Sequence, residues 1–308
     1  MGVSATTHNK PVKPTGVTKR RSTLRRGSLR LRRTRSQNRQ FHYTTPDGVT
    51  QVVKSNGTGP ELLNDYTLTP SEFLHEPYPS TFPPGGVWPP RKASDILCAL
   101  GTDYMDCVGS TCYTSRICTD YACTHTLSAW KAATSDWEQH FELRHTGSDR
   151  GIGVFTKRSF RRGDILGWYA GEIKPLDSII GTHGGYLMEI ELGDLTPRAD
   201  APSVYIDAKK KGNWTRFINH SCEADCVFRI MRVGGVRVMV VEAVRDVRGG
   251  EELSVDYGRE YYGVETRLRC ACGARGCVER KRVRGKGKGG SEVVGRWWGG
   301  MVCGFGIE

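Results

Sequence analysis

Two stretches decide the fold: Arg216-Phe217-Ile218-Asn219-His220-Ser221-Cys222, and then Glu251-Glu252-Leu253-Ser254-Val255-Asp256-Tyr257-Gly258. Just beyond them, Cys270-Ala271-Cys272-Gly273 and Cys277 form a compact cysteine run. Taken alone, an Asn-His pair is more often a turn or a satisfied buried histidine, and a tyrosine behind a strand is more often packing. The succession of all three pieces is far more specific. Cys270, Cys272 and Cys277 offer three thiolates where tetrahedral zinc takes four ligands, so a fourth must come from elsewhere in the chain.

Working outward, short apolar segments alternate with Gly and charged turns. Examples are Gly153-Val154-Phe155, Ile165 to Tyr169, Gly185 to Glu191 and Val236 to Val241. Many short strands with few helices predict a mainly β body. Upstream, Trp130, Ala133, Trp137 and Phe141 recur at spacings of three and four, which predicts an amphipathic helix over 128–141.

The chain has 308 residues, a net charge of +12, 38 glycines and 14 prolines. Residues 1–60 hold thirteen Lys/Arg and one acid, and residues 280–308 a further seven against two, leaving 61–279 at −5. A mildly acidic body between two basic tails suits a cationic peptide substrate. The Ser/Thr/Arg-rich start cannot bury enough apolar surface to offset its ordering entropy, so it is expected to be disordered. Its arginine-dense run from Lys19 to Arg35 reads as a nuclear-localisation signal or a grip on nucleic-acid phosphates. No run of 18 apolar residues is present, so no membrane span is expected. Eleven cysteines without an apolar signal-peptide core favour metal ligands over disulfides and an intracellular, nuclear setting.

The motifs resemble the SET-domain family of protein-lysine methyltransferases. Gly151-Ile152-Gly153, Arg161-Arg162-Gly163-Asp164-Ile165 and Tyr169-Ala170-Gly171-Glu172-Ile173 look like the opening of that domain, and the three stretches quoted first look like its end and its post-SET segment. The resemblance implies a SET fold of small β-sheets in which 216–222 threads a loop formed by 251–258, a pseudoknot. It also implies transfer of methyl from S-adenosylmethionine to a lysine, most naturally on a histone tail in the nucleus. The implied division is a disordered basic tail over 1–60, a Pro/Gly-containing linker over 61–97 and a cysteine-rich pre-SET-like segment with a helix over 98–140. The SET domain follows over 141–262, the post-SET zinc segment over 263–280 and a basic Gly-rich tail over 281–308.

By the same resemblance Tyr257 is the catalytic tyrosine, with Tyr186 and Tyr205 lining the lysine channel. Arg150, Gly151, Ile152, Gly153, Tyr205, Arg216, Phe217, Asn219, His220, Tyr257 and Tyr261 match cofactor-pocket positions. Cys222 supplies the fourth post-SET zinc ligand beside Cys270, Cys272 and Cys277. Glu252 and Asp256 brace the crossing. Val255 stands where similar enzymes carry Phe or Tyr; lacking a hydroxyl and being smaller, it implies di- or trimethylation.

Residues 98–125 occupy the place of a pre-SET zinc module, yet such modules use more cysteines in tighter spacings. Of Cys98, Cys107, Cys112, Cys118 and Cys123, with His125 nearby, the set chosen for a second zinc is Cys107, Cys112, Cys118 and Cys123. Disulfides or a degenerate module held by packing remain the competing readings. After Cys222 the family usually shows one residue and then Pro-Asn, whereas this chain has Glu223-Ala224-Asp225. That departure leaves two rivals open: a catalytically weak chromatin-binding SET module, and a methyltransferase for a non-histone protein.

Overall fold

The computed structural model describes residues 40–54, 59–77, 82, 85–98, 105–109, 112–120, 122–180, 185–192, 202–258, 261–262, 268–280 and 301–302. The arginine-dense run lies outside the described residues. Within them the architecture is mainly β, as expected, with only three short α-helices at Ala93–Leu97, Leu127–Ala133 and Leu176–Ile179. No helix among the described residues is long and apolar enough to cross a membrane.

Among the described residues, three sheets and one strand pair build the body. One sheet runs β2 (Thr50–Val52), β1 (His42–Thr44), β5 (Phe141–His145), β6 (Ile152–Thr156). A second holds β9 (Leu187–Glu191), β10 (Ser203–Asp207), β8 (Glu172–Lys174) and β4 (Thr67–Leu68), with β16 (Met301–Val302) on the β9 edge. The pair joins β3 (Glu61–Leu62) to β11 (Lys211–Gly212). The last sheet has the order β12 (Asn219–His220), β15 (Ser254–Val255), β13 (Cys226–Val233), β14 (Val236–Ala243), β7 (Ile165–Trp168). In it β12 pairs parallel with β15, Asn219 against Ser254 and His220 against Val255. Segments more than thirty residues apart are thereby locked side by side at one sheet edge.

An aromatic stack ties the sheets together. Trp214 lies on Phe141 with ring centroids 4.3 Å apart, and Phe141 stacks on Phe160 at 5.2 Å. Gly167 on β7 makes room for Trp214, since a Cβ there would come within 2.7 Å of the indole ring. Burying each of these rings stabilises the fold by roughly 1.5–3 kcal/mol.

Three expectations need correction. The helix expected over 128–141 ends at Ala133. Thr126 caps its start by accepting from Ala129 N, but Thr134 and Ser135 bond back to the carbonyls of Trp130 and Ala132, and the chain turns. Trp130, Trp137 and Phe141 are still buried, from three different elements.

The part of 1–60 that is described, from residue 40 on, is not a tail. β1 pairs with both β2 and β5, and Phe41 is buried edge-on against Phe217 at 4.9 Å. The described residues of 61–97 are likewise no linker. Trp168 Nε1 donates to Asn64 Oδ1 at 2.9 Å, Tyr66 packs on Trp168, and Phe73, Ile96 and Leu97 are buried. Single well-placed aromatics in a polar, Pro-containing stretch were enough to anchor it.

Candidate active site and metal centres

The parallel β12–β15 crossing sets the geometry. Tyr257 follows β15 directly, and its hydroxyl donates to the carbonyl of Ile218, just ahead of β12, at 2.6 Å. Its backbone N–H donates to His220 Nδ1 at 3.0 Å. The ring is buried, with Tyr261 edge-on at 5.2 Å, while Tyr262 packs on His220 at 4.6 Å. Tyr262 went unnoticed in the sequence because it lies past the last motif residue and has no pattern of its own.

Asn219 carries the next layer. Its Nδ2 donates to Glu252 Oε1 at 2.8 Å and to the carbonyl of Ile152 at 3.3 Å, so β12 is tied to the glycine turn. Glu252 also holds Arg150 at 2.6 Å. Gly151 has φ +67°, a conformation that L side chains rarely adopt, and a Cβ at Gly153 would sit 2.5 Å from Glu252 Oε1 and 3.1 Å from Asn219 Nδ2. The turn thus offers bare backbone beside Asn219, a cradle that any side chain would fill.

Tyr186 has φ +106°, uncommon for a residue with a side chain. It is held there from several directions: its carbonyl accepts from Tyr169 Oη at 2.9 Å and Ala208 N at 3.0 Å, and the Arg216 guanidinium lies 4.1 Å over its ring. Such strain persists only where the surroundings over-determine it. Arg216, expected among the cofactor residues, donates to the carbonyls of Ala208 and Lys209 at 2.8 and 3.2 Å and acts here as the clamp on Tyr186. Phe217 is buried against Phe41 and packs under the same guanidinium. Tyr205 joins a different group: its hydroxyl reaches Glu189 on β9 at 3.4 Å, and burial together with that carboxylate pushes it up to about 12.

Val255 is fully buried between Cys226 and His220 in the parallel ladder. Asp225, where the sequence departs from the usual Pro-Asn, is also buried. It accepts from Ser254 Oγ at 2.9 Å and pairs with Arg245, so it braces β15 from behind. Burial raises this carboxyl against the opposing pull of Ser254 and Arg245.

The cysteines after residue 268 meet the crossing. His220, Cys222, Cys270 and Cys272 have ligand atoms within 4.8 Å of one another, with Cys222 Sγ 3.8 Å from Cys270 Sγ. Cys277 is buried beside them, its Sγ 3.8 Å from the Cys270 carbonyl and in contact with the Cys270 and Cys272 thiols. His220 accepts at Nδ1 from Tyr257 N–H, which leaves the proton of a neutral ring on Nε2, 3.3 Å from Cys222 Sγ. A protonated Nε2 donates to a thiolate and does not bind metal, which leaves the neighbouring Cys277 as the candidate fourth ligand beside Cys222, Cys270 and Cys272. Burial lowers His220, outweighing nearby Asp256, and keeps the ring neutral. Burial pushes Cys222 up to about 11, whereas against its own desolvation the backbone amides of Cys222 and Ala274 bring Cys272 down to about 7.

The upstream cluster differs from the expected set. Cys107, Cys118, Cys123 and His125 converge within 4.8 Å, while Cys112 does not join them. Cys112 is buried against β7, donating to the Ile165 carbonyl at 3.4 Å, because the adjacent Tyr113 N–H also bonds that carbonyl and draws the segment onto the strand.

The SET domain family model matches residues 151–258. The H3 lysine-4 specific histone-lysine N-methyltransferase of Schizosaccharomyces pombe is 37% identical over 126 residues, covering 41% of this chain and 13% of that protein. The corresponding Saccharomyces cerevisiae protein is 48% identical over 81 residues, covering 26% of this chain and 7% of that one. The Arabidopsis thaliana histone-lysine N-methyltransferase ATX2 is 36% identical over 128 residues, covering 41% and 12%. This chain therefore spans about an eighth or less of the length of these relatives. The methyltransferase domain of human SETMAR superposes with TM-score 0.38 at 25% identity, over 46% of this chain and 56% of that one. Residues 151–258 of this chain are therefore a SET domain, of the kind carried by histone-lysine N-methyltransferases.

Proposed function

We propose that this chain is an S-adenosylmethionine-dependent protein-lysine N-methyltransferase that acts on a histone tail in the nucleus and adds two or three methyl groups. The observation that carries the reading is the Tyr257 hydroxyl fixed on the Ile218 carbonyl at the β12–β15 crossing. The bare turn Arg150–Gly153 with Asn219 and His220 would hold the cofactor, helped by Phe217 and Tyr261, and Gly153 leaves the space a side chain would take. Bound there, S-adenosylmethionine supplies an electrophilic methyl on a sulfonium.

The chain's own work is positioning. Tyr257 is locked by two hydrogen bonds and Tyr186 by three contacts, so both aromatic walls are rigid before substrate arrives. A free lysine has a pKa near about 10.4 and must be neutral to attack. Buried aromatic walls disfavour its ammonium form. Tyr205 with Glu189 lies on the neighbouring sheet face, where a basic peptide would find a carboxylate. Cys222, Cys270, Cys272 and Cys277 would hold one zinc, whose binding pins the post-SET segment to His220 and completes the pocket wall.

The named specificity of the fungal relatives makes the histone H3 tail the first substrate to test. The experiment uses the full chain purified with zinc, labelled S-adenosylmethionine, core histones and a ribosomal-protein panel, with Tyr257→Phe in parallel. Label on a histone lysine as di- or trimethyl, lost in the variant, supports the reading. Purely monomethylated product sinks the role of Val255. Label only on non-histone protein replaces the substrate. Absence of cofactor binding turns the case to a chromatin-binding module, with the arginine-dense tail as its contact to nucleic acid.

A further inference from the structure

We propose that Cys107, Cys118, Cys123 and His125 form a second, mononuclear Cys3His zinc site, built into the end of the β13–β14 hairpin and separate from the post-SET set. Cys107 Sγ stands 3.5 Å from Cys123 Sγ and 3.6 Å from His125 Nδ1. Zinc at about 2.3 Å from sulfur and about 2.1 Å from nitrogen places tetrahedral ligands about 3.8 Å (S to S) and about 3.6 Å (S to N) apart. Cys107, Cys123 and His125 thus already stand at ligand spacing, Cys118 Sγ lies within 4.8 Å of all three, and the four together would fill every position of the ion with protein, which makes the site structural.

The surroundings are those of a metal thiolate. Gly109 N–H donates to Cys107 Sγ at 3.4 Å, and Arg232 Nη1 donates to Cys123 Sγ at 3.3 Å. Arg232 is only 2% exposed, and its other bonds go to the neutral carbonyls of Met105, Gly234 and Asp120 at 2.7, 2.9 and 2.9 Å. A buried guanidinium needs a compensating anion. Zinc held by three thiolates and a neutral imidazole carries one excess negative charge, which matches that of Arg232. Outer donors of this kind orient ligands and tune a metal site.

The hairpin is shaped to receive the ligand segment. Gly234 turns with φ +57°, and a Cβ there would fall 2.2 Å from the carbonyl of His125. Cys107 bridges Cys118 on one side and Arg232 on the other, with Val108 N–H on the Arg232 carbonyl at 3.0 Å and Arg232 N–H on Asp106 at 3.1 Å. The site therefore staples one end of β13, whose other end, Cys226, pairs with Val255 beside the tyrosine crossing.

The full chain, purified with zinc, is assayed for metal by inductively coupled plasma mass spectrometry. Cys272→Ser, which breaks the post-SET set, is expected to keep one zinc, and adding Cys118→Ser or His125→Ala should lose it. Adding His125→Cys or Cys112→Ser should retain it. Loss with Cys112→Ser but not with Cys118→Ser overturns the proposal. In the unmodified chain, alkylation of Cys107, Cys118 and Cys123 should be blocked until a chelator is added. Alkylation of these three that is indifferent to the chelator overturns it as well, whether or not the variants fold and whether or not the chain methylates anything.

Discussion

The Tyr257 hydroxyl donates to the carbonyl of Ile218 at 2.6 Å, a bond between residues thirty-nine positions apart that closes the β12–β15 crossing. A phenol so fixed presents its oxygen to the pocket in one orientation. Tyr257→Phe keeps the ring but removes that oxygen, leaving a buried carbonyl unpaired at a cost of about 1–3 kcal/mol. Methyl transfer should fall by about 100-fold or more, in the range of lost electrostatic positioning, while cofactor affinity stays nearly unchanged. A variant with wild-type turnover would remove Tyr257 from the chemistry.

Gly153 is occupied by its neighbours rather than by a side chain. In Gly153→Ala the new methyl meets Glu252, which Arg150 and Asn219 hold in place. Calorimetric titration with S-adenosylmethionine should show affinity weakened by roughly tenfold, equivalent to about 1.4 kcal/mol, with melting temperature lowered only slightly. Undiminished affinity would place the cofactor away from this turn.

The tautomer of His220 separates two possible ligand sets. Because Nδ1 accepts from Tyr257, His220→Gln should retain the post-SET zinc, whereas Cys277→Ser should lose it together with methyl transfer. Metal analysis of the two variants decides between them. The reverse pattern would make His220 the ligand. Chelation of the wild-type chain should abolish turnover and restoring zinc should return it.

Lys174 on β8 binds Glu72 at 2.9 Å and Glu172 at 3.4 Å, stapling the Glu61–Phe73 region to the second sheet. Desolvation lowers its pKa, but the two carboxylates outweigh that and hold it above the ordinary lysine value. Its folded pKa exceeds the unfolded one, so its contribution is complete below pH 10.5 and fades as pH climbs through the raised value. Lys174→Met should cost about 1 kcal/mol in urea unfolding at pH 8, and the difference from wild type should shrink as pH climbs through the raised pKa. A pH-independent gap would assign the effect to packing alone.

How much could be read beforehand varied with the range of the interaction. The β character followed from the short apolar segments, and the meeting of 216–222 with 251–258 and of Cys222 with Cys270 and Cys272 from the family resemblance that contiguous motifs carry. The helix over 128–141 failed because apolar spacing does not reveal that Thr134 and Ser135 bond back to the carbonyls and stop it. Residues 40–97 were read as tail and linker because their polar, Pro-containing composition hides single anchors such as Phe41 and Tyr66.

By itself, then, the amino-acid order determined which groups are available: the tyrosine, the Asn-His pair, the glycine turn and the clustered thiols, each carried by a few adjacent residues. Tertiary structure alone decided which of them meet. It took Cys112 to the Ile165 carbonyl and brought His125 to Cys107, and it turned Arg216 into the clamp on Tyr186. The physical reason is that a ligand set or a clamp depends on the directions in which side chains leave paired strands. Those directions are set by contacts with distant residues such as Arg232 and Ala208, which spacing along the chain does not encode.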